Sequence, residues 1–245
     1  MVSFNFITMT FFKKFKKVNY LFAILLLPSI MYLMLYSGEH KFTRLPFVGP
    51  REAVLNEDGK YDTNYHQIPY FEFINQDGNK ITRDDMFGHV YIADFFFVTC
   101  PTICPKMTTN MSYIQEKFKD RKELRFLSIT VNPEHDSVPV LAEYAKKVHA
   151  DTKNWDFVTG NKDEIYDVAF NGFFVSTMRD SIAPGGFLHS SMLILVDKEG
   201  HIRGYFDGTV HKETKEKLTD AIDILYKEEF VPLKGSTKNK IEQKR

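Results

Sequence analysis

Apolar residues fall along this chain in two rhythms. Runs without a solvated face mark strands covered on both sides: His89 to Phe97, Leu124 to Val131 and Ser191 to Asp197. Spacings of three and four mark helices between them. Met107, Met111, Ile114 and Phe118 line one face of a helix over Lys106 to Phe118. Further helices are predicted over Val138 to Val148, Lys162 to Phe170 and Thr214 to Tyr226. Shorter strands are predicted at Tyr70 to Ile74, closed by the turn Asn75-Gln-Asp-Gly78, and at Trp155 to Val158. Ile81 onward returns to the domain through a short segment around Asp84 to Phe87. Lys198-Glu199-Gly200 turns the last long strand into its partner, Ile202 to Phe206. Strands alternating with helices and ending in an antiparallel hairpin predict an α/β fold with a mixed sheet flanked by helices.

The N-terminus follows a different pattern. Val18 to Tyr36 is uncharged, and as a helix it would be roughly 28 Å long, about the thickness of a bilayer's hydrocarbon core. Tyr20, Tyr32 and Tyr36 lie towards its ends, where interfacial aromatics sit, and transmembrane helices tolerate a proline such as Pro28. Lys13, Lys14, Lys16 and Lys17 precede it and hold the N-terminus in the cytoplasm. The expectation is a single-pass anchor with the domain in the periplasm, or in the intermembrane space of a mitochondrion. The alternative is a cleaved signal peptide, but the apolar run is long for one and no small-x-small site follows it. Either way the domain is exported, into a setting where thiols oxidise readily.

The chain then divides into a basic segment (1–17), the anchor (18–36), a polar spacer with a small hairpin turning at Asn56-Glu-Asp-Gly59 (37–66), a folded domain (67–229) and a basic, disordered tail (230–245). The 32 basic and 32 acidic residues of the 245 balance. The four N-terminal lysines leave the remainder with 28 bases against 32 acids, which gives no electrostatic reason to bind nucleic acid.

The chemistry concentrates in the only two cysteines. Cys100 and Cys104 close the apolar run in Phe97-Val-Thr-Cys-Pro-Thr-Ile-Cys-Pro105. A dithiol just after a central strand and at the start of a helix is the thioredoxin-like arrangement. Pro105 suits the first helical turn, where its missing N–H costs nothing. Thiolates are favoured there by unpaired N–H groups and the helix dipole. C-x-x-x-C is one residue longer than the redox motif C-x-x-C, and lets both sulfurs converge on one ion. Two thiolates are too few for a usual zinc site but suit copper(I), with one imidazole to complete three-coordination. Of the eight histidines, His189 is the candidate on topology. It follows the loop Pro184-Gly-Gly-Phe-Leu188 and precedes a strand, and in a thioredoxin-like fold that loop faces the dithiol.

The motif Phe97-Val-Thr-Cys-Pro-Thr-Ile-Cys-Pro105 resembles the F-T-x-C-P-x-x-C-P signature of SCO/SenC proteins. Val131-Asn-Pro-Glu-His-Asp136 resembles the family's D-P-E-x-D segment, and Phe187-Leu-His-Ser190 with the strand after it resembles its histidine loop. The resemblance covers about Tyr70 to Tyr226. It implies a membrane-anchored copper metallochaperone, with copper as Cu(I), Cu(II) or both, held by Cys100, Cys104 and His189. The implied partner is the copper-bearing subunit of cytochrome c oxidase or another copper chaperone, and the implied task is assembly of the oxidase's binuclear copper site. Val98, Asn132 and Leu188 depart from the family pattern, and the last two remove a nearby negative charge.

Three other readings stay open. As a thiol-disulfide oxidoreductase, Cys100 and Cys104 would be the catalytic redox pair and His189 would not be needed. A peroxidase would use one thiolate to attack peroxide and the other to resolve it, though no Arg stands in Thr99 to Thr109. A structural disulfide would close too short a loop to add much stability. Met107 and Met111 read as core, and Glu134 and Asp136 read as a solvated loop.

Overall fold

The computed structural model describes residues 20, 24–32, 44–56, 59, 61–121, 123–175 and 190–228. The chain forms two compact units, Met1–Thr43 and Arg44–Arg245. In the first, residues 24–32 are helical and exposed, and the Ser29 hydroxyl donates back to the Leu25 carbonyl at 2.9 Å. Among the described residues no helix is long and apolar enough to cross a membrane. Residues 18–19, 21–23 and 33–36 of the Val18 to Tyr36 stretch lie outside them, as does the tail beyond residue 228.

The second unit opens with an exposed hairpin, β1 (Arg51–Leu55) against β2 (Tyr61–Tyr65). The main sheet has seven strands: β3 (Glu72–Asn75), β4 (Lys80–Thr82), β5 (Val90–Phe96), β6 (Leu124–Thr130), β7 (Trp155–Thr159), β8 (Met192–Val196) and β9 (Ile202–Asp207). Their order is β4-β3-β7-β6-β5-β8-β9. β5, β6 and β7 are parallel, while β8, β9, β3 and β4 run antiparallel to their neighbours. This mixed sheet is thioredoxin-like, as the alternation of strands and helices predicts. The short segment predicted near Asp84 is helix α1 (Arg83–Met86), held by a reciprocal cap between Thr82 and Asp85.

All seven residues of β5 are buried, which explains why its run is apolar but for Asp94. Helix α2 (Ile103–Lys117) turns Met107, Met111 and Ile114 fully into the core, so both methionines are packing residues. Spacing predicts a start at Lys106, but the helix begins one turn earlier at Ile103, with Pro105 inside its first turn. Helix α3 (Val138–Lys147) and helix α4 (Lys162–Asp167) follow, and α4 runs on into a π-helical turn, Val168–Gly172. A C-terminal helical run, α5, comprises His211–Glu213, a π-helical turn Thr214–Leu218 and Thr219–Glu228.

At the end of the sheet where β8 turns into β9, Arg203 is buried among anions. Its guanidinium meets Glu228 at 2.7 Å and Asp197 at 3.0 Å. It also donates to the Leu45 carbonyl at 2.7 Å and lies over the Phe47 ring. His201, which follows the predicted turn Lys198-Glu199-Gly200, is buried here beside Asp197 at 3.3 Å. One side chain therefore ties the start of this unit to its last described helix and its last hairpin.

Candidate functional site

The site lies at the opposite end of the sheet, where the parallel strands end, the usual place for function in such sheets. β5 and β6 end side by side, with Phe96 paired to Thr130. The cysteine loop leaves from one and the Asn132–Asp136 turn from the other. β8 enters from the same end, since its start at Met192 lies beyond the Ala93–Ile194 pairing.

The Cys100 N–H donates to the Phe97 carbonyl at 3.1 Å, turning the chain as it leaves the sheet. Cys104 follows in the first turn of α2. Both thiols are free and buried, 6% and 3% exposed. They are not equivalent. Burial pushes the Cys100 thiol up, but a hydrogen bond from the Cys104 thiol and the backbone N–H groups of Thr102, Cys104 and Ile103 outweigh it, and the net shift is downward. Cys104 is pushed well up, first by burial and then by donating its proton to Cys100. Helix-terminus reasoning from sequence predicts lowered pKa for both thiols. The structure gives it to Cys100 alone, because the N–H groups converge there and Cys104 points into the core.

The wall around the pair is aromatic with two polar networks. Phe96 stacks on Tyr144, whose hydroxyl shares a hydrogen bond with Thr108 at 3.0 Å and is pushed up to about 12 by burial. Beneath, Asp94 sits inside β5, 2% exposed, and burial pushes its carboxyl up to about 7 against the hydrogen bond from Ser128. Trp155 donates in turn to the Ser128 hydroxyl at 2.9 Å.

The second network involves Asp136, which sequence reads as solvated. Its side chain is fully buried. Oδ2 accepts from the Val98 N–H at 3.0 Å and from the Thr130 hydroxyl at 2.5 Å, while Oδ1 meets His135 Nδ1 at 2.7 Å. Neither carboxylate is evident from periodicity. The available signals were one acid inside an apolar strand, for Asp94, and an acid five residues past the predicted strand end at Val131, for Asp136.

His189 lies outside the described residues; the chain is described again from Ser190, which is buried and whose hydroxyl accepts from the Met192 N–H at 3.2 Å. Other histidines have local partners: His66 Nε2 meets the Gly172 carbonyl at 2.8 Å, and His211 Nδ1 meets Asn110 Oδ1 at 2.5 Å. Asn110 also donates to the Gly208 carbonyl at 2.7 Å, latching α2 to the turn before α5. Among the described residues no three His, Cys, Asp or Glu side chains are grouped to hold a metal ion.

The SCO1/SenC family pattern matches residues 59–225, spanning the sheet, the cysteine loop and α5. The SCO1 protein homolog of Bacillus subtilis is 32% identical over 159 residues, covering 64% of this chain and 81% of that protein. The structure of BsSco, described as a member of the Sco family of cytochrome c oxidase assembly proteins with a disulfide switch, superposes with a TM-score of 0.57 at 29% identity. That match covers 66% of this chain and 94% of BsSco. Arabidopsis thaliana ScoI, solved with copper bound, matches with a TM-score of 0.53 at 25% identity, over 63% of this chain and 97% of that one. With a family match that takes in every element of the thioredoxin-like sheet and both cysteines, this chain belongs to the SCO1/SenC family.

Proposed function

We propose that this protein is a membrane-anchored copper metallochaperone that serves assembly of the binuclear copper site of cytochrome c oxidase. Its ligands are Cys100, Cys104 and His189. Val18 to Tyr36 anchors it, with the four lysines on the cytoplasmic side and the domain across the membrane. The observation that carries this reading is the pair of free, buried thiols at the start of α2, set in an aromatic wall. Soft thiolates select copper(I), and a dry surrounding protects both the ion and the sulfurs. The copper bound to Arabidopsis ScoI and the family's link to oxidase assembly support the same cargo and destination.

Cys100 is the entry ligand, since its thiolate is already favoured. Cys104 binds second and must give up its proton on doing so. An ion held by two sulfurs and one imidazole has low coordination and leaves by ligand exchange with incoming thiols. The test is copper content after anaerobic loading of the full-length protein. One equivalent is expected, falling to a small fraction in Cys100→Ser and in Cys104→Ser. Equal loading of all three proteins would sink the proposal.

The unequal thiols favour one second reading, thiol-disulfide exchange. The Cys100 thiolate attacks a disulfide on the partner, and one partner thiolate leaves and takes up a proton. Cys104, deprotonated, then attacks Cys100 of the mixed disulfide and releases the second partner thiol. The partner is reduced by two electrons and the Cys100–Cys104 pair is oxidised by two. This reading does not need His189.

A further inference from the structure

Asp136 is a buried carboxylate whose hydrogen-bond donors come from three places: the cysteine loop, the end of β6 and its own turn. The Val98 N–H stands two residues before Cys100, and Thr130 is the last residue of β6. A carboxylate only accepts, so a neutral His135 carries its hydrogen on Nδ1 and keeps Nε2 free of one. Half of the His135 side chain is exposed while Asp136 is not exposed at all. The turn that carries them is shaped by backbone: the Asn132 carbonyl accepts from the N–H groups of His135 and Asp136 at 3.1 and 2.9 Å. The side chain at position 132 is therefore not what places Asp136.

We infer that Asp136 is a positioning residue for the cysteine pair and that His135 locks it in that role. The inference rests on reading Cys100 and Cys104 as the copper-binding thiols. Oδ2 is satisfied by Val98 and Thr130, while His135 satisfies Oδ1. Without the imidazole, Oδ1 loses its donor on the side where half of the ring meets solvent. The carboxylate then turns or draws in water, and the Val98 N–H loses its fixed acceptor. Val98 leads directly into the turn closed by the Cys100 N–H and the Phe97 carbonyl. Loosening it spreads the two sulfurs, and a site that must meet one ion tolerates little of that. His135 acts through Asp136, since it joins no metal-holding group among the described residues.

The test uses the full-length protein with His135→Ala, His135→Asn and Asp136→Asn. Asn at position 135 keeps a donor near the place of Nδ1 but removes the ring. Copper(I) affinity is measured by chelator competition, thermal stability by Tm, and the exchange of the Val98 amide by NMR on metal-free protein. His135→Ala is expected to weaken copper(I) about tenfold and to speed Val98 exchange at nearly unchanged Tm, with His135→Asn within about twofold of wild type. Asp136→Asn should weaken copper at least as much as His135→Ala, and if it fails to fold the His135 pair still decides. Unchanged affinity and exchange in His135→Ala overturn the inference. A His135→Asn as weak as the alanine variant also overturns it, because the ring itself is then required. Absence of copper binding by wild type defeats the metallochaperone reading instead, and Val98 exchange still reports on the lock.

Discussion

Ser128 donates to Asp94 Oδ1 at 2.5 Å across the two central strands, beneath the cysteines, and so partners a carboxyl that the sheet buries. Burial raises the Asp94 pKa from 3.8 to about 7, so the folded state binds this proton more tightly than the unfolded state does. The stabilisation is complete below about pH 4 and is lost as pH rises towards 7. Over that window the loss is on the order of 4 kcal/mol at most. Asp94→Asn keeps an acceptor for Ser128 and cannot ionise. Urea unfolding should show wild type losing stability relative to Asp94→Asn between about pH 4 and 7, with the difference constant above. A difference independent of pH would contradict the buried, protonated carboxyl.

The thiol asymmetry is checked by alkylation of reduced, metal-free protein. Cys100 should react first at neutral pH, and its rate should rise at a lower pH than for an ordinary thiol. Cys104→Ala removes the thiol that donates to it, so the Cys100 pKa rises and its rate at pH 7 falls about threefold or more. Cys104→Ser keeps a donor and should fall less. Equal labelling of both cysteines in wild type would refute the assignment of roles.

Arg203 offers a stability test far from the site. Arg203→Met leaves Asp197 and Glu228 buried without their cation, and breaking such a pair costs about 3–5 kcal/mol. Glu228→Gln keeps an acceptor and should cost less. The same Arg203 substitution frees the backbone carbonyls of Leu45 and Pro46, so limited proteolysis should cut near residues 44–47 sooner. Wild-type stability and an unchanged cleavage pattern in Arg203→Met would remove the clamp from the account.

Gly208 marks a close approach between the last hairpin and α2. A Cβ there would lie 2.8 Å from Leu193 Cγ and 3.1 Å from Met107 Cγ. Both neighbours are fully buried, so Gly208→Ala should destabilise by about 1–3 kcal/mol in a denaturant titration. A neutral substitution would mean that α2 shifts freely at its site end.

Much of the fold is legible in the sequence because its signals are local. The run into Phe97 reads as a buried strand, the spacing of Met107, Met111 and Ile114 reads as a helix face, and Gly200 marks the hairpin turn. The proximity of Cys100 and Cys104 is equally local. What escaped is what pairs across distance. Asp136 meets Val98 from 38 positions away, and Arg203 reaches Leu45 from 158 positions away. No periodicity within one element carries such contacts. Asp94 was hidden differently: one carboxyl in an apolar run does not change the rhythm, and its partner Ser128 looks like any small polar residue in a strand. The start of α2 at Ile103 agrees with Pro105 in the first turn and Cys104 at the helix N-terminus; only the apolar spacing from Met107 would begin it later, at Lys106.

The central claim is that copper sits between two sulfurs and the His189 imidazole. Anaerobic copper(I) competition on the reduced full-length protein, wild type against His189→Ala, tests it most directly. The account expects one tightly held copper in wild type and at least about tenfold weaker binding in the variant, roughly 1.4 kcal/mol. Affinity unchanged by the substitution would contradict it, removing His189 from the site and leaving thiol-disulfide exchange as the better account of Cys100 and Cys104.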